Sequence, residues 1–118
     1  MEASVIWVRG NSAEEPLVDF ADLAKSALGL THLEERKSSN YWKGHYFRGV
    51  HDGAEVKVYY LDTVGLEDYL FVVQVDPGSA AHAATLARLL SRLGRFCFVP
   101  TGPWHLTSWD RQGVAYDP

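Results

Sequence analysis

The sequence predicts an α+β domain in which two helices pack on one face of a mostly antiparallel five-stranded sheet, ferredoxin-like with an added strand. Three observations predict it. Short β-branched and aromatic runs alternate with two stretches of helical periodicity, in the order strand, helix, three strands, helix, strand. An Asp-Gly pair joins two of the runs at hairpin spacing. The 118 residues, 47% apolar and 22% charged, provide for one core, so 1–118 is read as a single domain.

The elements follow in order. Ser4–Arg9 (SVIWVR) is a strand by composition. Ser12 and Glu15 have the spacing of a capping box, with Pro16 in the first turn of the helix they would start. Leu17, Phe20, Ala21, Ala24 and Leu28 then fall on one helical face, and Gly29 is a natural stop. Thr31–Gly44 is polar and irregular and reads as an extended or looped segment, with a short edge strand at its start. Around Asp52-Gly53, the turn places His51 opposite Ala54, Gly49 opposite Val56 and Phe47 opposite Val58. One face of that hairpin carries Phe47, Gly49, Val56, Val58 and Tyr60; the other carries Tyr46, Arg48, Glu55, Lys57 and Tyr59. Glu67–Asp76 is apolar on both faces at its centre, the mark of a central strand. Ser79 caps a second helix whose buried face is Ala83, Leu86, Ala87, Leu90 and Leu93, with Arg88, Arg92 and Arg95 on another face. Arg95–Val99 is the last strand, and residues 100–118, with Trp104, Trp109 and Tyr116, form a tail that packs on the sheet.

The chemistry that composition excludes is broad. The net charge of −4, with scattered basic residues, speaks against nucleic acid as a partner. Cys97 is the one cysteine, and its neighbours Phe96, Phe98 and Val99 make it a desolvated, unreactive thiol suited to a reducing compartment. The first residues lack the apolar stretch of a signal peptide, and no run reaches a membrane span, so the expected location is cytoplasmic with no membrane partner. His32, His45, His51, His82 and His105 form no metal-ligand spacing. His45 and His51 share a strand face but lie roughly 20 Å apart at strand rise. The adjacent carboxylates Glu14-Glu15, Glu34-Glu35 and Glu67-Asp68 point in different directions within any regular element. No phosphate loop or nucleophile elbow occurs. The reading is therefore of a protein that is not an enzyme and takes neither metal nor cofactor.

With both helices on one sheet face, the other face carries the functional expectation. Tyr46, Arg48 and Tyr59 lie on it, and tyrosine and arginine are common interface anchors. The acids Glu34, Glu35, Asp62, Glu67 and Asp68 fall near the ends of the hairpin strands, where a cluster would attract a basic partner. These eight residues are the candidate partner-binding set.

The run Glu35, Arg36, Ser38, Ser39, Asn40, Tyr41, Gly44, Tyr46 and Phe47, followed by a hairpin and an acidic-aromatic strand, resembles small immunity proteins of bacterial polymorphic toxin systems, including those of contact-dependent growth inhibition. The likeness covers about a third of the chain, Leu33 to Asp76. It implies a cytosolic inhibitor that binds one cognate toxin domain, often a nuclease and so basic, and blocks its active site. The alternative is a small ligand-binding or regulatory ferredoxin-like domain, a homodimer through its open sheet face.

Overall fold

The computed structural model describes residues 4–41, 44–61, 69–100 and 112–118. Along the chain run β1 (Ser4–Val8), α1 (Leu17–Leu28), β2 (Thr31–Lys37), β3 (His45–His51), β4 (Ala54–Tyr60), β5 (Phe71–Asp76), α2 (Ala80–Ser91), β6 (Cys97–Pro100) and β7 (Gly113–Tyr116). All seven strands form one sheet in the order β2-β3-β4-β5-β1-β6-β7, with every neighbouring pair antiparallel. Among the described residues the chain is α+β with two helices, but the expected five-stranded sheet is incorrect: seven strands pair. The two that sequence reasoning undercounted are the edges. Thr31–Lys37 is a full seven-residue strand rather than a loop with a short strand, and the tail contributes β7, which extends the sheet beside β6. Residues 101–111, with Trp104 and Trp109, lie outside the described residues, and with them most of the expected tail packing.

Both helices cover the same face. Ile6, Val8, Val56, Val58, Phe71, Val73 and Val75 of the sheet share one buried cluster with Phe20 and Ala24 of α1 and with Leu86 and Leu90 of α2. At its centre the rings of Phe20 and Phe71 stack at 4.2 Å. The buried residues of α1 are the five that the helical spacing selects: Leu17, Phe20, Ala21, Ala24 and Leu28. On α2 the buried face is Ala83, Leu86, Ala87 and Leu90; Leu93 lies past the helix end and is 49% exposed.

The start of α1 differs from the expected capping box. Pro16 stands at the N-cap and no side chain caps from there. The Tyr60 hydroxyl of β4 instead accepts the Leu17 N–H at 2.8 Å. Glu15 accepts the Asn11 N–H at 2.7 Å and forms a buried two-pronged ion pair with Arg95, at 2.7 and 2.6 Å. Arg95 also donates to the Arg9 carbonyl at 3.2 Å and lies over the Phe20 ring. Arg95 is thus a buried tie between the β1–α1 loop and the α2–β6 loop, not an exposed helix residue. A charged pair taken out of water survives because its hydrogen bonds are complete. The pair and the Asn11 N–H bond hold the Glu15 carboxyl below its ordinary range against the opposing effect of burial.

Asp52 and Gly53 both have positive φ, 49° and 78°, as the tight turn requires, and the pairs Phe47–Val58, Gly49–Val56 and His51–Ala54 form as the turn dictates. β5 is the middle strand of the seven, starting at Phe71 rather than Glu67. The first strand of the chain, β1, is inserted between β5 and β6, so the β5–α2–β6 connection passes over it. Among the described residues, no helix is long and apolar enough to cross a membrane.

Candidate protein-binding face

The strand registers lay out the face opposite the helices. One row crosses it as Glu34, Arg48, Lys57, Gln74 and Val5, and a second as Tyr59, Val72, Trp7 and Phe98. The two halves differ in character. On β5, β1 and β6 the side chains form a second apolar cluster: Val5, Trp7 and Val72 are 1–3% exposed and pack with Tyr59, Leu61, Tyr69 and Phe98. Trp7 stacks on Phe98 with ring centroids 5.7 Å apart. On β2, β3 and β4 the face is polar, aromatic and partly exposed.

Three tyrosines organise the polar half. Tyr41 stacks on Tyr46 at 4.2 Å and meets Tyr59 edge-on at 5.0 Å. The Tyr59 hydroxyl donates to Gln74 Oε1 at 2.7 Å, which fixes its ring against β5. Burial, helped by Tyr41, raises the Tyr59 phenol above its ordinary range. Tyr41 is held by the turn before it. The Ser38 Oγ accepts the Asn40 N–H at 3.2 Å, the Ser38 N–H reaches the Gly44 carbonyl at 2.9 Å, and the Gly44 N–H reaches the Tyr41 carbonyl at 2.9 Å. The Ser38 oxygen thus satisfies a backbone group beside Tyr41, a common use of serine in turns.

The charges on this half are paired within it. Arg36 donates to Glu34, its Nε at 2.8 Å. Arg48 donates to Glu55, and Lys57 lies 3.4 Å from the same carboxylate. Burial works to raise the Glu55 carboxyl, but the Arg48 hydrogen bond and the Lys57 charge outweigh it and hold it low. Burial likewise opposes the Lys57 ammonium, and Tyr41 and Glu55 more than offset it, so its pKa is raised.

Of the eight residues selected from sequence, Glu34, Tyr46, Arg48 and Tyr59 share this face. Glu35 does not: it pairs with Phe47 and points to the helix side, where its carboxylate lies 2.8 Å from His45 Nδ1 and accepts from it when that nitrogen carries the proton. Adjacent strand residues alternate faces, so Glu34 and Glu35 cannot form one acidic cluster. Asp62, Glu67 and Asp68 lie outside the described residues. Sequence reasoning missed Tyr41, Arg36 and Gln74. The turn composition before Tyr41 is a signal for a held loop, but its return onto Tyr46 has no local signature.

Other chemistry-bearing groups fall elsewhere. Burial pushes the Cys97 thiol up to about 12, far from the thiolate that reactivity needs. His51 Nδ1 and His82 Nε2 meet at 2.8 Å on the helix side, a contact between β3 and α2 that no spacing along the chain suggests. Among the described residues, no three histidine, cysteine, aspartate or glutamate side chains are grouped to hold a metal ion. No protein-family description matches the chain, and no curated protein or solved structure does either.

Proposed function

We propose that the chain is a toxin-neutralising immunity protein that grips a toxin domain, of nuclease type, with the β2–β4 half of its helix-free sheet face. The observation that supports this most is the Tyr41, Tyr46 and Tyr59 cluster, with Tyr41 bonded through its backbone to Ser38 and Gly44 and the Arg48–Glu55–Lys57 charges beside it. Rigid aromatic rings with arginine beside them supply contact area at little entropic cost. The described ion pairs of this half set Glu34 and Glu55 against Arg36, Arg48 and Lys57, an excess of one positive charge, so the toxin surface that fits it is of mixed sign rather than uniformly basic. Ion pairs on the face then exchange for ion pairs across the interface, which favours one cognate partner over others.

The test is co-expression with the toxin encoded beside this chain, followed by isothermal titration of the purified pair. The expected result is restored growth and one-to-one binding without turnover of either protein. Growth arrest that persists, with no heat of binding, would eliminate the proposal.

A further inference from the structure

The two edges of the sheet are built differently. β2 is guarded: it carries Glu34, Glu35, Arg36 and Lys37, and its register breaks between Thr31 and Glu34, with His32 at a φ of 55°. Charges and a bulge on an edge strand block further pairing. β7 has neither. Gly113–Tyr116 (GVAY) is uncharged, ends the strand order, and leaves Val114 47% exposed.

Gly113, Val114 and Ala115 are exposed, and the direction of their backbone groups follows from the ladder of the described strands. The Arg9 N–H bonds the Phe96 carbonyl at 3.0 Å, so Phe96 faces β1. Backbone groups alternate sides along a strand, so Phe98 faces β1 as well, while Cys97 and Val99 face β7. Their partners Tyr116 and Val114 spend their backbone groups on β6. Gly113 and Ala115 then direct their N–H and C=O groups outward.

The side chains beside that edge are selective. Val114 and Tyr116 lie on the helix side, opposite Val99 and Cys97 of the core. The Arg88 guanidinium of α2 stands 5.9 Å from the Tyr116 ring centroid. Among the described residues no carboxylate lies within ion-pair distance of Arg88. A strand added beyond β7 would set one side chain against Val114 and, two residues along, another beside Tyr116 and Arg88.

We infer that β7 is a docking edge for an extended segment of a partner protein, one that carries an apolar residue and, two positions away, a carboxylate. Main-chain bonds to Gly113 and Ala115 supply the grip, and Arg88 supplies the choice of charge. The edge lies at the opposite end of the sheet from β2, and the inference holds whether or not the β2–β4 face binds a toxin.

The probe is a synthetic five-residue peptide with blocked ends, threonine-valine-threonine-glutamate-threonine, titrated into the full-length nitrogen-15-labelled chain and followed by amide shifts. Shifts concentrated at Gly113 and Ala115 are expected, with the lysine analogue of the peptide binding at least 10-fold more weakly. Ala115→Pro removes an outward N–H without touching the β6 ladder, so it is expected to keep the melting temperature and lose the binding. Arg88→Glu is a second, surface variant and is expected to reverse the preference to the lysine peptide. The inference is overturned by β7 amides that do not move at millimolar peptide, by a folded Ala115→Pro chain that binds equally well, or by an unchanged preference in Arg88→Glu. It is also overturned by β7 shifts that track the concentration of the chain alone, which would make the occupant a second copy.

Discussion

At the scale of single residues, the Glu15–Arg95 pair has the largest expected effect. Leaving one member of a buried pair without its partner costs about 3–5 kcal/mol, so Glu15→Ala is expected to lower the urea midpoint of unfolding sharply. The same pair sets an acid response. Glu15 is depressed in the folded protein, so its contribution is fully present above the ordinary carboxylate range and is lost as pH falls through the folded value. Glu15→Gln is expected to flatten that part of the stability profile, measured by urea unfolding at a series of acid pH values. Cys97 gives a simpler check. With its thiol pushed up to about 12 and buried, it is expected to ignore a thiol reagent at neutral pH until the protein unfolds. This inertness was legible, because phenylalanines bracket the cysteine in the chain. The ion pair was not. Ser12 and Glu15 fit a local capping pattern, and nothing local reveals a guanidinium 80 positions away. The carboxylate takes the stronger donor, and the Tyr60 hydroxyl serves the helix start in its place.

Among the elements, the β3–β4 hairpin was the most legible. Its turn dipeptide and the period of its side chains specify the same register, and a slip of one residue would expose Phe47, Val56 and Val58. Gly53→Ala places a Cβ in the left-handed region at a cost of about 1–2 kcal/mol, which thermal unfolding should register as a fall of several degrees. Both edge strands were poorly legible, for different reasons. β2 is exposed along nearly its whole length, so it lacks the apolar alternation that reveals a half-buried strand. Leu33 is its one apolar anchor, and it lies where a Cβ on Gly49 would approach within 3.1 Å. β7 has four residues and one β-branched side chain, too little signal to stand out from a tail. The charges of β2 nonetheless have a testable role. Replacing Glu35 and Lys37 together by valine is expected to promote association, seen as rising light scattering over hours, while the same change to threonine leaves the protein dispersed.

For the molecule as a whole, two layers leave one sheet face to two uses. Its β5–β1–β6 half is an apolar cluster already buried, and its β2–β4 half is the candidate grip. Hydrophobic alternation predicted which hairpin residues face away from the helices, and Tyr46, Arg48 and Tyr59 are there. The acidic cluster was less well founded, because counting acids along the chain ignores the alternation that turns Glu35 to the other side. If the grip is right, Tyr46→Ala is expected to weaken toxin binding at least 10-fold by titration calorimetry. Lys25→Ala, on the exposed side of α1, is expected to leave it unchanged. The place of β1 bears on how the molecule is made. It precedes every other described strand in the sequence, yet its neighbours are Phe71–Asp76 and Cys97–Pro100, the second on the far side of both helices. Until both are synthesised, Ile6, Trp7 and Val8 have no finished slot to enter. The slot for β1 is complete only once residues 97–100 have been made, and the stacking of Trp7 on Phe98 waits for that strand.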